Sequence, residues 1–276
     1  WSNTTAGYNT AMGYDSLQGN TTGASNTGLG VNALRVNTTG VENVAVGKDS
    51  LLANTTGDFN VAVGERALAY NTTADYNIAM GKKALWKNTT GASNVAIGHE
   101  TLKTNTTGGS NTAVGKNSMA ANTTGAENAA FGINSLSLNT TASNNTALGK
   151  GSMYNNTTGG DNTAVGWNTL DANTTGANNT AVGYDALGAN TTASNNAAFG
   201  INSLKTNTTG HENTGVGNAA LEQTTTGSYN TAVGSSVLPA NTTGARNTAV
   251  GVFALNANST ASYNTAIGMY ALQHIT

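Results

Sequence analysis

One seventeen-residue unit repeats sixteen times in this chain without an insertion or a deletion. Each unit opens on an asparagine, from Asn9 and Asn26 through to Asn264. A fixed internal period is the signature of a repeat architecture, in which each unit contacts only its neighbours. Loops of globular domains vary in length. The constant period therefore predicts identical coils stacked in register, as in a fibre.

The unit, numbered from its asparagine as positions one to seventeen, has constrained and unconstrained positions. Residues 111–127 are a representative copy. Position one is Asn, position three is Ala or Gly, and position four is large and apolar. Position five is Gly, position nine is Leu or Met, position fourteen is Thr, and position fifteen is Gly or Ala. All 24 charged residues occupy positions six, seven, ten, eleven, sixteen and seventeen, which we therefore expect to face water.

Strand is a better interpretation of this unit than helix. Each unit carries two turn-forming sites, so a helix would have to end within about seven residues, well below the usual length. Thr10, Ala11 and Met12, with their equivalents, predict a short strand followed by a glycine turn. A second strand or a tight turn is expected around position nine. The chain is thus predicted to be all-β, a parallel β-solenoid of sixteen 17-residue coils with about two large side chains inside each.

Two sets of residues are expected to hold the coils together. Positions four and nine are predicted to form the core, here Ile97, Leu102, Val114, Met119, Phe131 and Leu136. Asparagine, glycine and threonine columns are predicted to form structural ladders, here Asn94, Gly98, Asn111, Gly115, Thr124, Asn128 and Gly132.

The small residue at position three is expected to point away from position four. This placement suggests close approach by another chain, as at an axis of three-fold symmetry. The alternative is that alanine merely fits a tight corner.

The net charge and the two ends of the sequence indicate which partners to expect. A net charge of −2 gives no electrostatic reason to expect nucleic acid as a partner, and no apolar run suggests membrane insertion. Trp1 and Thr276 both fall inside a repeat, so we expect residues 1–276 to be one continuous array cut from a longer fibrous chain. Open solenoid ends also predict end-to-end association into a filament.

Catalytic and cofactor chemistry has little support in the sequence. His99, His211 and His274 lie in widely separated coils, so no pair is expected to share a site. Neither the spacing of a phosphate-binding loop nor a calcium-binding repeat occurs. We therefore expect no catalytic, cofactor or metal site, and no enzyme activity.

Position twelve carries Asn-x-Thr in fifteen units, and each copy is a formal glycosylation sequon. The sites considered for glycosylation are Asn20, Asn37, Asn54, Asn88, Asn105 and Asn122. A structural Asn-Thr-Thr turn would be copied by the repeat in the same way, so both interpretations stay open. If positions twelve and fourteen both face outward, they would form a regular polar array typical of ice-binding solenoids. Scattered aromatics such as Trp86, Trp167 and Tyr184 suggest a third option, stacking on glycans.

The repeat resembles a known family. Asn-Val-Ala-Ile-Gly at residues 94–98 and Asn-Ala-Ala-Phe-Gly at residues 128–132 resemble the coils of trimeric autotransporter adhesin heads. The full unit resembles repeat shafts of tail-fibre-type proteins, although its coil is longer than that of the adhesin heads. The resemblance implies a left-handed β-roll, a homotrimer, and an adhesive or spacer role outside the cell or on a virion.

These patterns together predict a function. We expect a non-enzymatic fibre shaft or adhesin spacer of an extracellular, cell-surface or virion filament, whose partners are other copies of the chain and a cell-surface glycan or receptor. The alternative is an ice-binding or glycan-binding solenoid surface.

Overall fold

The computed structural model describes residues 4–274. The chain divides into two compact units, Trp1–Thr141 and Ala142–Thr276. Trp1 and Thr276, on which the expectations about the chain ends rest, lie outside the described residues. The single continuous array stays a prediction.

Within residues 4–274, both units are all-β, and each contains eight strands of three residues. The first unit contains β1 (Thr10–Met12), β2 (Thr27–Leu29), β3 (Val44–Val46), β4 (Val61–Val63), β5 (Ile78–Met80), β6 (Val95–Ile97), β7 (Thr112–Val114) and β8 (Ala129–Phe131). The second contains β9 (Thr146–Leu148), β10 (Thr163–Val165), β11 (Thr180–Val182), β12 (Ala197–Phe199), β13 (Thr214–Val216), β14 (Thr231–Val233), β15 (Thr248–Val250) and β16 (Thr265–Ile267).

Within each unit, successive strands pair in parallel and in register, so that equivalent positions of the repeat stand side by side. Val95 pairs with Thr112 and Ile97 with Val114, one period along the chain. Parallel pairing of consecutive strands needs a connection that returns the chain to the same edge. The fourteen residues between strands supply it as one coil. The prediction of a parallel β-solenoid with 17-residue coils is thus confirmed.

The coil turns where its backbone takes left-handed conformations. Gly115 at position five has a φ of 131°, and an added Cβ would lie 2.4 Å from the carbonyl oxygen of Gly132 in the next coil. Gly98 has a φ of 136° and the same close approach to Gly115. Positive φ also recurs at positions seven, nine and seventeen, which are mostly not glycine, as at Asn117, Met119 and Glu127. The glycine turn was predicted, whereas the three other left-handed positions were not.

In the coils of residues 94–144, only one large apolar side chain per coil is fully buried. Leu102, Met119 and Leu136 at position nine are inaccessible to solvent. Ala96 and Ala113 at position three are equally buried, and small residues at position eight complete the interior. Position nine lies in a turn rather than in a second strand. The expectation of two large interior groups per coil is therefore wrong.

Position four faces outward, which corrects half of the predicted core. Ile97 and Phe131 are each 39% exposed, and Val114 is half-buried. Adjacent strand residues point to opposite faces, so burying alanine at position three turns position four outward. The coil is narrow and holds two asparagines besides its leucine, which leaves room for alanine but not for phenylalanine. The premise that alanine meets another chain is wrong for the same reason.

Candidate functional surfaces: asparagine ladders and the outer sheet face

The asparagines of position one form a buried ladder along the solenoid. The Asn111 backbone N–H donates to Oδ1 of Asn94 over 3.0 Å, and the Asn128 N–H donates to Oδ1 of Asn111 over 3.1 Å. Within its own coil, Asn111 Nδ2 donates to the Gly125 carbonyl over 2.9 Å. The Asn111 side chain thus fastens its coil to the next one and also closes its own coil. The prediction that Asn94, Asn111 and Asn128 form a ladder is confirmed.

Position twelve supplies a second buried ladder. Asn122 Nδ2 donates to Oδ1 of Asn105 over 2.8 Å and to the Gly125 carbonyl over 2.9 Å. Gly125 therefore accepts from both asparagines of its coil. These buried hydrogen-bonded amides fix the register in which the coils stack, because a shifted register would leave each amide without a partner.

The sequons lie inside the coil, so the structure contradicts them as glycosylation sites. Asn20 is 2% exposed, and Asn37, Asn54, Asn88, Asn105 and Asn122 are fully buried. The nitrogen to which a glycan would be joined is the one that donates within the ladder. The polar array expected from positions twelve and fourteen is wrong for the same reason, since only the threonine of position fourteen is exposed.

The threonine ladder uses position thirteen rather than position fourteen. The Thr123 hydroxyl donates to the Thr140 carbonyl over 2.9 Å, whereas the Thr124 side chain is exposed. Equivalent bonds recur one coil apart, as from Thr106 to Thr123. Thr124 was therefore the wrong choice of ladder residue.

Within the described residues, Thr224 is the one position of the second ladder that is not asparagine. Threonine cannot supply the amide that every neighbouring coil provides. The Asn207 Oδ1 atom, which an asparagine one coil later would reach, and the Thr224 Oγ1 atom are both buried without a hydrogen-bond partner. Both Asn207 and Asn241 still donate to the carbonyl of their own coil, over 2.8 and 2.9 Å. The defect is thus confined to the contacts between coils.

The outer face of each unit's sheet is uncharged and rich in apolar side chains. Positions two and four form its two columns, the first mostly Thr and Val and the second Val, Leu, Ile, Met or Phe. Val233 and Val250 are 37% and 36% exposed, and Phe199 is 41% exposed. Parallel sheets are normally covered on both faces. Here the coil interior covers one face only.

The sequence held a signal for this orientation that was missed. Position nine varies only between Leu and Met, a swap that conserves volume and is tolerated in a close-packed core. Position four varies from Val114 to Phe131 between adjacent coils. A difference of that size fits a surface and not a coil of constant cross-section.

Charged and aromatic residues pair along the surface rather than remaining scattered. Phe59 and Tyr76 stack with centroids 5.0 Å apart, and Trp167 and Tyr184 meet edge to face at 5.4 Å. The three histidines are not brought together. His211 contacts the Ser228 hydroxyl and the Tyr229 ring. Stacked coils place like positions side by side, so aromatics one period apart come into contact.

Within residues 4–274, no group of three or more His, Cys, Asp or Glu side chains could hold a metal ion. That part of the chain likewise contains no helix long and apolar enough to cross a membrane. No protein-family model, curated protein or solved structure matches the chain.

Proposed function

We propose that this chain is a structural, non-enzymatic shaft or spacer that self-assembles through the outer sheet faces of its coils. The observation that carries the proposal is the uncharged column of large apolar residues at position four. Contiguous exposed apolar patches mark interaction sites in soluble proteins. A column retained in all sixteen repeats, although it contributes nothing to the coil interior, requires a role outside the coil.

The periodicity of the face favours another copy of the same chain as its partner. Parallel strands lie about 4.8 Å apart, so the apolar columns repeat at that spacing. A partner that covers them evenly needs side chains with the same spacing, and this repeat supplies them. Closed symmetric assemblies are the usual result of such self-complementary packing. The resemblance to adhesin heads favours three chains, a left-handed coil, and a place at the outside of a cell or on a virion.

Native mass spectrometry tests this assembly directly. The expected species has three times the single-chain mass of 27.7 kDa. A predominant single chain at micromolar concentration would contradict self-assembly. A stable dimer would be consistent with self-assembly through the outer sheet face but would contradict the three-chain stoichiometry.

A second candidate function, ice binding, rests on the threonines of the same face. In the second unit, seven of the eight strands begin with an outward threonine, Ala197 being the exception. These hydroxyls are held in register by the sheet, as between Thr163 and Thr180. Self-assembly would cover them, so the two functions exclude each other. Ice recrystallisation inhibition by a monomeric chain supports ice binding, and its absence from an oligomeric chain supports the shaft.

A further inference from the structure

A cavity of about 170 Å³ interrupts the surface of the first unit. It is lined by Asp49, Leu52, Arg66, Ala69, Tyr70 and Trp86. Its origin lies at position ten, where Ala69 stands between Leu52 one coil before and Trp86 one coil after. Two coil spacings amount to about 9.6 Å. The small alanine therefore leaves a slot with an apolar floor between two larger side chains.

The walls of the slot differ in chemistry. Tyr70 and Trp86 form one wall, with ring centroids 5.6 Å apart and an interplanar angle of 62°. Asp49 and Arg66 supply the charged part of the lining, with Arg66 Nε 3.6 Å from Asp49 Oδ2. Asn32 Nδ2 donates to the other carboxylate oxygen of Asp49 over 2.9 Å, which fixes its direction. Aromatic faces beside a few fixed polar groups are the usual composition of small-molecule sites.

The surroundings of the aromatic wall are positively charged. The ammonium groups of Lys83 and Lys87 lie 5.4 and 5.6 Å from the Trp86 ring centroid. Lys83 also lies 3.8 Å from the Glu100 carboxylate. Lys87 makes no ion pair with any residue in the described part of the chain. Its charge is therefore free to pair with an anionic ligand.

We propose that this slot binds one sugar ring that carries a carboxylate. The volume corresponds to about six waters at roughly 30 Å³ each, which suits one six-membered ring. The apolar face of the ring would stack on Trp86, its hydroxyls would bond with Asp49 and Arg66, and its carboxylate would face Lys87. This site is independent of the proposed self-assembly, because its residues lie at positions seven, ten and eleven and not on the outer sheet face.

Ligand-observed NMR and calorimetry on the full chain test the site. The probes are methyl glycosides of glucuronic acid, galacturonic acid and sialic acid, with methyl glucoside and methyl galactoside as neutral controls. We expect at least one acidic sugar to bind in the roughly millimolar range and the neutral sugars to bind about tenfold more weakly.

Three variants test whether the ligand binds in the slot. Ala69→Leu fills the cavity and is expected to weaken binding by at least roughly tenfold. Ala120→Leu makes the same change at position ten outside the slot and should leave binding unaltered. Lys87→Gln should reduce the affinity for the acidic sugar to that for its neutral match. Thermal melts of all three variants are expected to resemble that of the parent chain.

The proposal is overturned if no acidic sugar binds, or if Ala69→Leu binds as well as Ala120→Leu. Equal affinity for acidic and neutral sugars would contradict the proposed pairing of Lys87 with the carboxylate of the sugar. An unfolded Ala69→Leu variant would be replaced by Tyr70→Ala, which removes part of the aromatic wall from a half-exposed position.

Discussion

Nδ2 of Asn122 lies 2.8 Å from Oδ1 of Asn105, its counterpart one coil earlier. The same bond joins Asn139 to Asn122 over 2.8 Å. In this buried chain of amides, each side chain donates to the previous one. The ladder therefore stabilises the stacking of one coil on the next as well as the closure of each coil. The leucine of position nine removes apolar surface from water, while the two asparagine ladders determine which coil stacks on which.

The interrupted ladder predicts that Thr224→Asn stabilises the chain. The Nδ2 of the new side chain would donate to the unpaired Asn207 Oδ1. Its Oδ1 would accept a hydrogen bond from Asn241 Nδ2. Leaving a buried acceptor unsatisfied costs about 1–3 kcal/mol, so we expect a gain of roughly that size in the free energy of unfolding. Thermal and denaturant unfolding measure it.

The control for this prediction is Thr226→Asn, at the exposed position fourteen of the same coil. It should change stability by less than about 0.5 kcal/mol. If Thr224→Asn gains no more than this control, the ladder does not contribute in the way described.

Gly115→Ala is expected to destabilise the chain more than Gly108→Ala. Gly115 combines a positive φ with an added Cβ 2.4 Å from a backbone carbonyl oxygen. Such strain costs of order 1–3 kcal/mol. Gly108 is also crowded, but Ala74 occupies the same position of another coil and is buried there. Comparison of the two unfolding midpoints decides the matter, and equal losses would show that the left-handed turn at position five is not the constraint.

Ala219→Asn is expected to stabilise the chain. Ala219 has a φ of 54°, a left-handed conformation that costs alanine roughly 1–2 kcal/mol and asparagine less. Asn117 and Asn202 already occupy this position in other coils. Ala240→Asn, at a position without a positive φ, serves as the control. Denaturant unfolding should show a gain for the first variant of about 0.5–1 kcal/mol and none for the second.

Asp171 predicts a pH dependence of stability. Partial burial raises the pKa of the Asp171 carboxyl, and the Asp185 carboxylate raises this pKa further. The unfolded chain then loses its proton at a lower pH than the folded chain, so stability falls as pH rises through the interval between the two pKa values. Asp171→Asn should remove that fall. Melting temperatures of the variant and the parent are therefore expected to differ more at neutral pH than below the ordinary pKa of aspartate. A constant difference would contradict this account.

The sequence was sufficient for the period, the parallel strands, the glycine turn at Gly115 and the burial of Leu102, because each depends on a residue type fixed in every unit. It was not sufficient for the direction in which a three-residue strand faces. Alternation allows either Ala113 or Val114 to point inward, and hydrophobicity alone favours valine. The outcome depends on the coil cross-section, which Asn111 and Asn122 partly fill. Hydrophobicity does not predict that either asparagine is buried, because the asparagine side chain is polar.

The cavity beside Trp86 could not be predicted from single positions either. It depends on the sizes of three side chains at position ten in consecutive coils, and on a salt bridge between Asp49 and Arg66 at position seven. Such combinations become apparent only when the coils are stacked.

The assembled masses of two matched triple-lysine variants show whether the chain self-assembles through its outer sheet face. The first carries lysine at position four of three consecutive coils, at Val216, Val233 and Val250. The second carries lysine two residues later in the same coils, at Asn218, Ser235 and Val252. Both sets are accessible in the single chain, so both variants should fold. We predict that the first runs as a single chain of 27.7 kDa and that the second keeps the assembled mass of the parent. Equal masses for the two variants would contradict self-assembly through the outer sheet face.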